Sequence, residues 1–397
     1  MRIVNERHTD CVTRLTRPHR NGLITMTEQT DSRIKRSHLP FTRRFTQLIA
    51  AVLYNCNFRG FVDGKIYKGD TKGLCAPGLN CYSCPGAVAS CPLGSLQTAL
   101  VNSRYRAPYY ILGTLLLFGL FLGRFICGFL CPFGLIQELL HKLPSPKIRK
   151  SRVTRVLSYT KYVILAVLVI AIPLWKLAPG FCKYICPAGT FEAGLPLTFK
   201  NDFLRKMTGV LFSWKVMLLT LIVVSCVICF RSFCRFLCPL GAIYSFFHPV
   251  SVFGVRVDPK LCTHCDACVR HCLMDIRKVG DRECIHCGSC AEVCPTEAIH
   301  FGIRGMKTGT YSLAENEGFA SADTETSVST ATTSVNANTT PNNTRGQNNR
   351  RRNIILITRI VLLALTVFLL WYGLSNGGWD DLKNKAIRVC YECIGIG

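Results

Sequence analysis

Acidic side chains are scarce: 23 Asp and Glu stand against 48 Lys and Arg in 397 residues, a formal net charge of +25. In a soluble chain that balance would point to nucleic acid. Here the basic residues gather beside apolar runs, as topology signals do, so no nucleic-acid partner is expected. Residues 1–44 are basic and polar and lack the apolar stretch of a secretory signal. There is no phosphate-binding P-loop, no GxGxxG after a strand and no Asp-Gly-x-Thr-Gly-Ala-Thr type attachment sequence, which leaves nucleotide hydrolysis and carried flavin without support. No Cys-x2-Cys-His occurs, and none of the nine histidines sits in the middle of an apolar run, so neither covalent nor span-ligated haem is indicated.

What the chain has in excess is cysteine, 24 residues, and eight of them form two runs. Cys262-x2-Cys265-x2-Cys268-x3-Cys272 is followed by Cys284-x2-Cys287-x2-Cys290-x3-Cys294-Pro295. This is the ligand spacing of two [4Fe-4S] clusters, in which three thiolates of one run converge and the fourth reaches the opposite cluster. The expected sets are therefore Cys262, Cys265, Cys268 and Cys294, and Cys284, Cys287, Cys290 and Cys272. Zinc is the bland alternative, although zinc ribbons use CxxC pairs without the third and fourth cysteines. Leu273 follows Cys272 where a proline is usual, which loosens a turn and removes no ligand.

A mean hydropathy of +0.25 with 49% hydrophobic residues reads as a membrane protein. Apolar runs of spanning length occur at about 107–126, 159–178, 211–230 and 353–374, and a weaker one at about 45–61 is interrupted by Asn55, Asn57 and Arg59. The expected fold is mainly α: a polytopic bundle of about five transmembrane helices with a small α+β ferredoxin-like domain. The expected divisions are a basic N-terminus (1–40), a four-helix membrane domain (41–253), the ferredoxin-type domain (254–304), a polar Ser/Thr/Asn-rich tether (305–352) and a fifth span with a cysteine tail (353–397). Ten Lys and Arg in residues 1–44, and seven with no acid in residues 141–161, place both segments on the cytoplasmic side. The ferredoxin segment follows them there, and residues 62–106, 179–210 and 375–397 face outward.

A phrase recurs in the membrane part: Cys127-x3-Cys131-Pro-Phe-Gly134, Cys182-x3-Cys186-Pro-Ala-Gly189, Cys234-x3-Cys238-Pro-Leu-Gly241, and a truncated Cys91-Pro-Leu-Gly94. Cys127, Cys131, Cys234 and Cys238 fall at one face and supply ligands for a third cluster; interfacial cysteines serving as small hydrophobes are the plain alternative. Eight more cysteines fall on the outer face: Cys75, Cys81, Cys84, Cys91, Cys182, Cys186, Cys390 and Cys393. They are enough for one or two further clusters or for disulfides, and sequence does not divide them. Cys226 and Cys229 lie three apart in one span, where packing explains them as well as metal binding does.

With Arg124-Phe-Ile-Cys-Gly-Phe-Leu-Cys-Pro-Phe-Gly-Leu-Ile-Gln137, Arg231-Ser-Phe-Cys-Arg-Phe-Leu-Cys-Pro-Leu-Gly241 and the ferredoxin segment in one chain, the sequence resembles the NapH/NosR-type membrane polyferredoxins over residues 41–300. The resemblance implies electron transfer across the cytoplasmic membrane through [4Fe-4S] clusters, serving quinol oxidation or an extracytoplasmic reductase. The flavin-binding domain of NosR-type members is missing, which implies a separate flavoprotein partner. An electron-transfer subunit is thus expected more than a stand-alone catalyst, with redox proteins, quinone and lipid as partners. A metal reductase of the copper-reducing kind, using Cys226 and Cys229, and a redox-sensing or assembly protein are the rivals.

Overall fold

The computed structural model describes residues 39–101, 108–148, 150–303 and 342–386. Among these the chain is mainly helical, with one two-stranded sheet. Three helices are long and apolar enough to cross a membrane: Arg152–Lys176, Val210–Ile228 and Asn353–Ser375. At about 1.5 Å per residue each approaches or exceeds a hydrocarbon core about 30 Å thick. Val163, Val167, Leu221, Val224, Ile357 and Trp371 are exposed along them, as lipid-facing surfaces require.

The other two expected spans take different forms. The run at 107–126 becomes a helix of 13 residues, Tyr109–Phe121, and a separate turn of helix, Phe125–Phe129. Gly123 stands between them with φ +50°, a left-handed conformation that ends the first helix. At 13 residues it is shorter than a bilayer core demands. It packs along the Asn342–Ser375 helix, with the Tyr109 and Tyr372 rings edge to face at 5.0 Å. Gly373 permits that approach, because a Cβ there would run into the Tyr110 backbone.

The weaker run at 45–61 divides into helices Leu39–Tyr54 and Phe58–Asp63. The asparagines between them explain the break. Asn55 Nδ2 donates to Asn80 Oδ1 at 2.8 Å, and Asn57 Nδ2 donates to the Pro85 carbonyl at 2.9 Å. Both bonds tie the chain to the cysteine-bearing loop. The first helix is anchored on its buried side by Arg43, which donates twice to the Glu138 carboxylate at 2.7 Å. Glu138 also accepts from Arg231 at 2.6 Å, so one carboxylate balances two buried guanidiniums.

The ferredoxin segment is closed by strands Phe253–Val257 and Ile299–Ile303, antiparallel with Val255 opposite Phe301. It docks on the membrane part through charges. Glu283 accepts from buried Arg124 at 3.0 Å and from buried Lys161 at 2.6 Å. Asp275 accepts from Arg155 at 3.0 Å and pairs with Arg235 at 3.5 Å. Lys150 Nζ donates to the Val269 carbonyl at 2.6 Å. The basic stretch after residue 141 and the ferredoxin segment therefore share one side. Burial alone would raise the Glu283 carboxyl, but Arg124 and Lys161 outweigh it and bring the group down to about 2.

Candidate iron-sulfur centres

The two ferredoxin runs share a local backbone. His264 and His286, each just before the second cysteine of its run, have φ +54° and +53°; Asp266 and Gly288, each just after it, have φ +57° and +81°. Left-handed residues placed this way turn successive N–H groups to one side and form a concavity suited to an anionic cluster. Cys268 has Cys265, Cys294 and Cys262 as neighbouring thiols, and Cys290 has Cys284, Cys287 and Cys272, followed by Cys268 of the first run. Burial first, and then those neighbouring thiols, push both above the ordinary thiol range.

In the membrane part each Cys-Pro-x-Gly phrase opens a helix. Cys131 and Cys238 cap Pro132–Leu140 and Pro239–Phe246, with proline in the first turn where its missing N–H costs nothing. Pro92 begins the Pro92–Val101 helix and Pro187 begins another. The glycine of the phrase then donates its N–H to the cysteine sulfur: Gly241 to Cys238 and Gly189 to Cys186, both at 3.4 Å. A thiolate at a helix N-terminus is stabilised by these N–H groups and by the helix dipole.

Cys127, Cys131, Cys234 and Cys238 come together from two copies of the phrase, each of the last three having Cys127 as a charged neighbour. The truncated copy at Cys91 finds its partner in space. Cys81, Cys91, Cys182 and Cys186 line one small cavity, with Leu79, Tyr82 and Gly94. Cys75 and Cys84 are buried nearby but do not line it, and Cys390 and Cys393 lie outside the described residues. None of the described cysteines is disulfide-bonded. Cys226 contacts Ser232 at 3.2 Å, Cys229 contacts Arg235 at 3.5 Å, and Cys56 is exposed.

Sequence reasoning missed the residue six positions after each cysteine of the four phrases: Gln97, Gln137, Glu192 and Tyr244. Each reaches across to another copy or to the cysteine-bearing loop. Gln97 donates to Cys182 Sγ at 3.2 Å and Gln137 to Cys234 Sγ at 3.0 Å. Glu192 accepts from the Cys81 N–H at 2.6 Å, and Tyr244 donates to the Pro77 carbonyl at 2.7 Å. Burial pushes the Glu192 carboxyl up to about 8, against the lowering effect of the Cys81 N–H. The repeated Cys-Pro-x-Gly-x-x-Gln at 91–97 and 131–137 was the signal available.

The donor sets fit iron-sulfur clusters. Buried thiols crowded together resist ionisation, and a cationic core shared by four of them relieves both burial and mutual repulsion.

The sets are neighbours. Cys127 packs against Met274, Ile276, Cys284 and Ile285 of the ferredoxin segment. Gly128 sits so close that a Cβ would strike the Ile285 carbonyl. Three residues further along the same phrase, a Cβ on Gly78 would lie 3.0 Å from Cys131 Cα, and Gly78 belongs to the loop that continues into Cys81. Buried Lys215 donates to the Cys182 carbonyl at 3.1 Å beside the second cavity.

Comparison with known proteins agrees with this chemistry. Residues 107–151, 161–198 and 210–256 match a family described as a 4Fe-4S binding domain, and residues 279–300 match another of that description. The chain is 30% identical over 192 residues to the uncharacterized protein MJ0750 of Methanocaldococcus jannaschii, covering 46% of this chain and 73% of that protein. It belongs to the same family as MJ0750. A second uncharacterized protein of that organism, MJ0749, is 28% identical, over 45% of this chain and 64% of its own length. The "Putative electron transport protein YccM" of Escherichia coli is 26% identical over 45% of this chain, which spans about half of that protein (49%). No solved structure matches significantly. The chain thus carries 4Fe-4S binding domains on a mainly helical scaffold, with three apolar helices among the described residues long enough to cross a membrane.

Proposed function

We propose that the chain is a membrane electron conduit of the NapH/NosR type, holding four [4Fe-4S] clusters in line. In order along the line they are bound by Cys262, Cys265, Cys268 and Cys294; by Cys284, Cys287, Cys290 and Cys272; by Cys127, Cys131, Cys234 and Cys238; and by Cys81, Cys91, Cys182 and Cys186. The observation that carries this reading is the pair of close backbone contacts, Gly128 on Ile285 and Gly78 on Cys131, which set consecutive cysteine groups side by side. When bound, each cluster supplies one-electron chemistry. The chain's own residues hold the sulfurs, exclude water and clamp the ferredoxin segment through Glu283 and Asp275. YccM's name points to electron transport as well.

The ferredoxin segment faces the cytoplasm in this reading, supported by the basic residues around Lys147 and Lys150 beside it. Redox proteins dock there, and the Cys81/Cys91/Cys182/Cys186 end passes electrons to or from quinone or a separate extracytoplasmic flavoprotein or reductase. Cys226 and Cys229 sit in hydrogen bonds with Ser232 and Arg235, an arrangement that lends a copper-reductase role no support.

Iron and sulfide determination on the anaerobically purified full chain tests the assignment. About sixteen irons are expected, and about twelve in Cys186→Ala. About eight irons in both would restrict the clusters to the ferredoxin segment.

A further inference from the structure

Gln97 and Gln137 are both fully buried, and each occupies the same place in its own phrase. The hydrogen bonds of their Nε2 atoms match atom for atom. Gln97 Nε2 donates to the Leu93 carbonyl at 3.4 Å and to Cys182 Sγ at 3.2 Å; Gln137 Nε2 donates to the Phe133 carbonyl at 3.3 Å and to Cys234 Sγ at 3.0 Å. Gln97 Oε1 accepts from the Phe181 and Cys182 N–H groups at 2.9 and 3.4 Å, and Gln137 Oε1 accepts from the Cys234 N–H at 3.4 Å. A backbone N–H can only donate, so the carboxamide oxygen must face it and the nitrogen must face the sulfur. In each case the glutamine belongs to one half of a four-cysteine set and the sulfur to the other half.

A neutral donor fixed on a ligand sulfur in a water-poor interior acts on the energetics of the metal group. Adding an electron increases the negative charge on the sulfurs, so such a bond favours the reduced state more than the oxidised one. Gln137 is further held by Cys226, whose thiol donates to Oε1 at 3.6 Å. That contact gives Cys226 a part in the arrangement without making it a ligand.

We infer that Gln97 and Gln137 are positioning residues that raise the reduction potentials of the two membrane clusters, each through one carboxamide-to-sulfur hydrogen bond. The inference rests on the cluster assignment proposed above. Gln97→Met and Gln137→Met keep the side-chain length and bulk but carry no N–H or O–H to donate to the sulfur. Gln97→Leu and Gln137→Leu also remove the donor, with a shorter side chain. The measurement is a redox titration of the full chain followed by electron paramagnetic resonance, with iron counted in parallel. Each single variant should keep the wild-type iron count and shift the midpoint potential of one membrane cluster to a more negative value, leaving the other unmoved. The double Met variant should shift both. Unchanged potentials with full iron content would overturn the inference alone, since the clusters would be present and indifferent to the bond. Loss of four irons in both the Met and the Leu variant at one position would overturn it too, by making that glutamine part of the frame that holds the cluster. A wild-type chain with about eight irons and no membrane-cluster signal would instead remove the assignment on which the inference stands.

Discussion

At the scale of single residues, spacing decides how much is legible. The two ferredoxin runs put their ligands within a few positions of one another, so the sequence alone divides the eight cysteines into two sets. The Cys81/Cys91/Cys182/Cys186 group is different. Its first two members are ten positions apart (91 − 81) and the others about ninety further on (182 − 91), in a phrase that looks truncated at Cys91. Only folding brings Cys81 to the cavity that Cys91, Cys182 and Cys186 also line. Glu283 was equally silent in the sequence, an acid beside a ligand cysteine with no sign that Arg124 and Lys161 would close on it. Glu283→Gln should leave two buried cations without their counter-charge and weaken docking by about 3 kcal/mol, as removal of one partner of a buried pair does. Faster proteolysis of the ferredoxin segment in the variant would show it; an unchanged rate would mean that the pair does not hold the segment. The pH dependence follows from the depressed carboxyl. The native pair is fully formed above the ordinary carboxylate value of 4.5, and its contribution is lost only as pH falls toward about 2. Wild-type docking should therefore resist proteolysis equally at pH 6.5 and pH 5.5.

At the scale of elements, the apolar runs announce three helices well, because nothing interrupts Arg152–Lys176, Val210–Ile228 or Asn353–Ser375 strongly enough to stop them. The other two runs turn on particular residues. Gly123 takes a left-handed turn and shortens the Tyr109–Phe121 helix, while Asn55 and Asn57 satisfy their amides on the cysteine-bearing loop in place of continuing one span. Hydropathy averages over such residues, so it reads length where the chain has a corner. The short helix is compensated by its packing on Asn342–Ser375, and that contact depends on Gly373 meeting Tyr110. Gly373→Leu should force the two helices apart at a cost of about 1–3 kcal/mol, seen as a lower midpoint for thermal unfolding in detergent. A midpoint equal to wild type would show that the pair is not a stabilising contact.

At the scale of the whole molecule, the arrangement answers a problem of distance. A bilayer core is about 30 Å thick, and redox groups confined to its two faces would need a carrier between them. Here the cysteine groups adjoin one another: the ferredoxin segment touches the phrase at Cys127, and the same phrase touches the loop that leads to Cys81. Arg124, Arg231 and Lys215 are buried around the membrane cysteines, a concentration of positive charge that suits clusters whose thiolates carry net negative charge. The conduit then depends on the middle group. Cys131→Ala should remove the cluster held with Cys127, Cys234 and Cys238 while leaving those on either side in place. The most direct test is to reduce the full chain through its ferredoxin segment with a low-potential donor protein and follow the cluster at Cys81, Cys91, Cys182 and Cys186 by freeze-quench paramagnetic resonance. The account predicts that this cluster is reduced promptly in the wild type and stays oxidised on the same timescale in Cys131→Ala. Reduction at the wild-type rate in the variant would contradict it.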